Sequence, residues 1–346
     1  MSTDRLDAGL HDQRQLENGH ASSSSGEKNE IVNRTRYTWR RWLDERFNWS
    51  YFTCTQSTGG IAIVLSESPK QFAGLQTIGI VVFIFNLVLF SIFVTLFALR
   101  WALDPPKIRQ SFVQVPECFF YGSFWLTFAT IIISMSRFGV SRTGPWIVVA
   151  IRVLFWIYAA CTLLSTSIHL VVIFKHTKIT SIQMNPAWFL LVFNAMLTGT
   201  VAAAIAMDQP PEQRIPIIVA GIAYQGLGWL GSLIILTWFF GMLMEQGWPA
   251  PSQAPGLFMP IGSAGFTIVA LIGAARSAPT GYGYFATHPQ AQEILEIVAT
   301  WVGVFLWVFA LWLFGMALFV ILGSAIARED GKTNFPMSFK NSWWGK

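Results

Sequence analysis

The chain has 346 residues, 53% of them hydrophobic and 12% charged, with a formal net charge of +5. Soluble domains carry about 25% charged residues, so this composition excludes an ordinary soluble domain and indicates a polytopic membrane protein. The positive charge does not require nucleic acid: Arg34, Arg36, Arg40, Arg41 and Arg46 cluster beside the first apolar segment, where they act as a topology signal.

The chain opens on a polar stretch, residues 1–45, with Ser22 to Ser25 in a row. This reads as a disordered cytoplasmic tail without a cleavable signal peptide. A span needs about 20 apolar residues. The candidates are Trp49–Leu65, Thr77–Trp101, Pro116–Phe138, Pro145–Phe174, Pro186–Met207, Ile215–Met244, Pro255–Ala275 and Ile294–Ala327. The first is short and interrupted by Gly59-Gly60. Those from Pro145, Ile215 and Ile294 are long enough to tilt. The transmembrane domain is therefore expected over 46–327, in eight spans. Residues 328–346 are expected as a cytoplasmic loop and the stub of an incomplete ninth span, Phe335 to Trp344, before Lys346.

Lysine and arginine set the orientation. With the tail inside, Lys107, Arg109, Lys175, Lys178, Arg328, Lys332 and Lys340 fall on the same side, leaving Lys70, Arg142, Arg214 and Arg276 outside. The N-terminus is thus expected in the cytoplasm, and the plasma membrane is the expected location. Cys54, Cys118 and Cys161 form no CxxC and read as small membrane residues, not as a disulfide framework or metal site. No paired aspartates, HExxH or Ser/His/Asp set occupies a span, so neither an enzyme nor a cofactor is expected.

The spans alternate in character. Odd ones carry small or polar residues at mid-depth, such as Ser57, Thr58, Gly59 and Gly60; Thr127, Thr130 and Ser134; Asn194, Thr198, Gly199 and Thr200; and Gly262, Ser263, Gly265 and Thr267. Even spans are greasier, and Pro116, Pro186 and Pro255 open three of the odd ones. The pattern reads as a repeated hairpin, an inner helix followed by an outer one, with the inner helices facing a common axis. The alternative is that the small residues only let helices pack closely.

The stretch from Arg46 to Gly60, RFNWSYFTCTQSTGG, resembles the first span of fungal malic acid transporters of the tellurite-resistance/dicarboxylate transporter family. That family also includes plant slow anion channels and fungal sulfite pumps. Gly74 to Gly79, Phe124 to Thr130, Asn185 to Trp188 and Gly262 to Thr267 extend the resemblance to about residues 46–344. Thr58-Gly59-Gly60 is closer to the malate branch than to the sulfite branch.

The resemblance implies an all-α fold of ten helices, as five hairpins around a quasi-fivefold central pore. The family's ninth helix continues past a Trp-Trp pair into a Phe-Pro segment whose phenylalanine plugs the pore. Here Trp343-Trp344 is followed by Gly345-Lys346, so no gate residue carries over. The implied function is transport of malate-like C4-dicarboxylate anions, with proton coupling. The alternatives are an anion channel or sulfite exporter of the same fold, or a truncated, inactive product that transports poorly unless an oligomer partner fills the gap. The expected partners are the anion, the lipid bilayer and a possible second copy, without nucleic acid.

An anion crossing hydrocarbon needs donors that replace its hydration. Hydroxyls and backbone N–H groups near glycines supply them without a permanent charge. Thr58, Gly59, Gly60, Thr130, Thr198, Gly199, Ser263, Gly265, Phe266 and Thr267 are therefore the expected pore-lining residues. Each hydroxyl has the alternative of bonding its own helix backbone. Arg137 and Arg276 end two inner spans and form either a positive vestibule or caps on helix C-termini. Arg152 either snorkels, ties helices or meets substrate. His169 either carries a proton or packs. Glu117, Glu245, Glu293 and Glu296 sit at span ends, leaving no carboxylate deep in an apolar run to relay protons.

Overall fold

Backbone polar groups find no partner in hydrocarbon, so apolar runs of this length close their hydrogen bonds internally as helices. The computed structural model describes residues 42–43, 46–176, 186–249 and 253–326. It is all-helical among them. The expected N-terminal tail up to Arg41, Lys178, and the expected loop and stub over 328–346 lie outside the described residues.

The helices are α1 (Phe52–Glu67), α2 (Leu75–Leu103), α3 (Pro105–Ser111), α4 (Tyr121–Ser134), α5 (Trp146–His176), α6 (Leu190–Ile205), α7 (Pro211–Gln246), α8 (Met259–Arg276), α9 (Tyr284–Thr287) and α10 (Ala291–Ile326). Seven helical segments are long and apolar enough to cross a membrane: those built on α2, α4, α5, α6, α7, α8 and α10. The first of the eight expected spans differs. Its opening turn of 3 residues and α-helix of 16 residues make a shorter segment than the 23 residues of the shortest of the seven, and about 20 are needed to span the hydrocarbon core.

Helices α1, α4, α6 and α8 form an inner row, each packed on the next. Helix α2 covers α1, α5 covers α6, α7 covers α6 and α8, and α10 covers α8. Burial follows this division: the span Pro186–Asp208 is 89% buried within the protein, whereas Leu75–Leu103 is 11% buried. The outer helices turn side chains such as Val81, Leu230, Ile234 and Phe305 outward, as a lipid-facing surface requires.

All four inner helices start in the same way, with a short 3-10 turn: Trp49–Tyr51, Glu117–Phe120, Pro186–Phe189 and Ala254–Phe258. Proline supplies the start in three of them. Pro116 and Pro186 stand at or just before the turn, and Pro255 lies in its first two positions. Proline has no N–H, and the first turn of a helix has no acceptor to offer one. In the fourth, the Asn48 side chain accepts from the Ser50 backbone N–H at 3.0 Å and holds the turn instead.

Small residues set the spacing of the inner row. A Cβ added to Gly122 of α4 would collide with the Leu190 carbonyl oxygen of α6, so the two backbones meet there. A Cβ added to Gly226 of α7 would have no atom within 4 Å. Gly122→Ala is expected to destabilise the protein by about 1–3 kcal/mol, because the obstructing atom is backbone and cannot rotate away. Gly226→Ala should be neutral or slightly stabilising. Thermal unfolding of both variants in detergent checks the pair.

Candidate functional site

A cavity of about 890 Å³ lies between α1, α4, α6 and α8. Each inner helix contributes one stripe to it. Gln56, Gly60, Ile63 and Glu67 of α1 follow the spacing i, i+4, i+7, i+11, as do Leu126, Thr130, Ile133 and Arg137 of α4 and its continuation. Leu197, Thr200 and Ala204 of α6 with Met207 of the turn that continues it, and Phe266, Val269, Gly273 and Arg276 of α8, follow i, i+3, i+7, i+10. Both spacings return to a single helix face. The stripes cover about 16 Å of helix rise and end at the C-terminal ends of the inner helices.

The inner end is bounded by Gln56, Leu126, Leu197 and Phe266. Phe266 is fixed edge-on against Phe193, with ring centroids 5.8 Å apart. Ser57, Thr130 and Thr200 are wall residues; the Thr130 hydroxyl donates to Thr127 O at 2.7 Å, and Thr200 Oγ1 is itself buried. The outer end carries charge. Arg137 lies in a π-turn, Met135–Gly139, that continues α4; such turns recur where a helix aims a functional side chain. Its Nε meets Glu67 Oε1 at 2.5 Å, with the two side chains 37% and 50% exposed. Arg276 is exposed and has no ion pair among the described residues.

Helix C-terminal capping falls to other arginines. Arg142 Nη1 donates to Phe138 O at 3.2 Å. Arg214 donates to Met207 O at 2.8 Å and to Gln209 O at 2.7 Å. Asp208, beside the outer end of α6, accepts from Ser136 Oγ at 2.5 Å.

Of the ten expected pore-lining residues, Gly60, Thr130 and Phe266 line this cavity, together with Arg137 and Arg276. The other seven sit elsewhere. Thr58 Oγ1 donates to Cys54 O at 2.8 Å, and Ser263 Oγ to Pro260 O at 2.6 Å. Thr198 is fully buried, 3.4 Å from Thr162 Oγ1 of the outer helix α5. Thr267 Oγ1 meets the Gln225 amide of α7 at 2.9 Å. Gly59 and Gly199 are crossing points: an added Cβ would collide with Thr130 Oγ1 and with the Gln225 side chain, respectively. Gly265 faces open space away from the cavity lining.

His169 is buried on α5, with Nε2 3.1 Å from Phe112 O and its ring edge-on to Tyr121, outside the cavity. Arg152 is half-buried on the same outer helix and has no ion pair among the described residues. Sequence reasoning missed Gln56, Thr200 and Glu67 as wall residues. Four residues back from Gly60 along the face is Gln56 and seven residues on is Glu67, so the helical period carries the signal.

This is an integral, multi-pass membrane protein with a charged-mouthed cavity between buried helices, the architecture of a transporter or channel and not of an enzyme. The chain belongs to the voltage-dependent anion channel (SLAC1) family, which matches residues 46–346. It is similar to the malic acid transport protein of Schizosaccharomyces pombe, 31% identical over 300 residues that cover 87% of this chain and 67% of the relative. A putative malic acid transport protein of the same organism is 28% identical, covering 87% and 68%. The sulfite efflux pump of Arthroderma otae is 28% identical, covering 79% and 74%. The resemblance to the dicarboxylate transporter family is therefore borne out.

Water access separates the two groups of residues. In a background with Cys54, Cys118 and Cys161 replaced by alanine, Gly60→Cys is expected to react with a membrane-impermeant thiol reagent. Thr198→Cys should stay unreactive until the protein is denatured. Mass-spectrometric quantification of the adduct in intact membranes checks this.

Proposed function

We propose that this protein carries malate-like C4-dicarboxylate anions across the plasma membrane through the cavity between its inner helices. The observation that carries the reading is the composition of the wall. Ser57 and Gln56 are the polar residues of an otherwise apolar depth whose Thr130 and Thr200 hydroxyls are turned into the protein, and Arg137 and Arg276 stand at the mouth. An anion gives up hydration only where such donors replace it, and cations at a constriction raise its local concentration. The similarity to malic acid transport proteins favours a dicarboxylate over sulfite.

In this reading α1 to α10 supply four inner–outer hairpins of a quasi-fivefold arrangement. The N-terminus faces the cytoplasm and the cavity mouth faces outward. Among the described residues, no acidic residue other than Glu67 lines the cavity. A proton therefore travels on the substrate, which enters as its mono-anion.

Uptake of labelled malate into proteoliposomes tests the reading. Wild-type flux should saturate, respond to a pH gradient and follow the mono-anion fraction across pH. Arg276→Gln should raise the half-saturation concentration by about threefold to tenfold and flatten its dependence on ionic strength, since exposed charges act through a screened field. Sulfite flux without malate flux would replace the substrate. Ohmic current indifferent to the pH gradient would replace the carrier by a channel.

A further inference from the structure

The two arginines at the cavity mouth differ in one respect. Arg276 has no ion pair among the described residues, whereas Arg137 is held by the Glu67 carboxylate at 2.5 Å. Glu67 is the last residue of α1, and Arg137 sits in the π-turn that ends the neighbouring inner helix. Both side chains are part of the cavity wall. We infer that Glu67 is a resident counter-ion for Arg137, a tethered carboxylate that an incoming substrate carboxylate replaces. This rests on the anion-pathway reading above and assigns roles within it. Arg276 draws the anion to the mouth, and Arg137 offers its Nε edge only by exchange.

The chemistry of the pair supports exchange. Glu67 meets the guanidinium at Nε, and a substrate carboxylate that takes the two-point fork along the Nε edge displaces it. The pair is half-exposed, so water and ions reach it and its strength is modest. A tightly buried pair would be a strut; one this accessible opens at little cost. Asp208, the other nearby carboxylate, is engaged by Ser136 and is not part of the cavity wall. Glu67 is thus the one acidic group among the described residues that lines the cavity. The exchange keeps the formal charge of the mouth low between transport events and exposes a full cation when substrate arrives. No bond is made or broken; one ion pair replaces another.

Removing the competitor should tighten substrate binding without creating a new contact. Glu67→Gln is expected to lower the half-saturation concentration for malate by about twofold to fivefold, the range of a half-exposed ion pair, with no rise in maximal rate. Arg137→Gln should raise the half-saturation concentration. The double variant should match Arg137→Gln, because Glu67 acts only through Arg137. Malate-induced thermal stabilisation in detergent should rank the four proteins in the same order. If Glu67→Gln proves unstable, Glu67→Asp serves instead: it keeps the charge, loses reach, and should give a half-saturation between wild type and the value expected for Glu67→Gln.

An unchanged or raised half-saturation in folded Glu67→Gln overturns the assignment. So does a double variant that binds malate more tightly than Arg137→Gln. Wild-type liposomes report separately on the transport reading: without saturable malate, sulfite or chloride flux, both the pathway and the exchange fall. With wild-type flux present, failure of the Glu67 comparison removes the exchange alone.

Discussion

In hydrocarbon a hydroxyl or amide has no water to fall back on, and that constraint organises this protein. Most polar side chains of the inner helices are tied within the protein. Thr58 and Ser263 bond carbonyls of their own helices. Others tie inner to outer helices: Tyr158 Oη of α5 donates to Asn194 O of α6 at 2.8 Å, and Gln225 of α7 meets Thr267 of α8. Near the end opposite the cavity mouth, Arg100 of α2 and Glu117 ahead of α4 form a mostly buried ion pair at 3.3 Å.

The cavity therefore has a simple physical description. Its depth is apolar with few polar groups, Ser57 and Gln56 among them, and its mouth is charged. Glycines bring the helices together where their backbones cross, and side chains hold them apart where the cavity opens. Gly59 and Gly60 show the division within one dipeptide. The space beside the first is filled by Thr130 of the neighbouring helix, and the second opens onto the cavity.

Much of this was legible in the chain and some was not. Apolar length gave the helices to within a few residues, because a bilayer sets that length. The alternation of small-polar and greasy spans gave the inner and outer rows, because lipid-facing surfaces exclude polar groups. Helix phase was the harder part. Adjacent residues point about 100° apart, so Thr198 and Thr200 look alike among the mid-span hydroxyls, yet one faces α5 and the other the cavity. Glu67 was missed for a different reason. It lies just past the expected end of the first span at Leu65, and its partner Arg137 stands far along the chain on another helix.

The four wall stripes have nearly the same length, and each follows a helix start made by a 3-10 turn. The residue count from each turn to its stripe constrains how the sequence can change over time. Substitution along a stripe alters the cavity locally. Gain or loss of one residue between a turn and its stripe rotates every later wall residue by about 100°, turning Arg137 or Arg276 into a neighbouring helix and bringing a packing residue to the wall. The outer helices, with lipid on one side, absorb such shifts far more readily. Length variation among relatives should thus collect in the loops and outer helices, while the inner segments from turn to mouth keep a constant residue count.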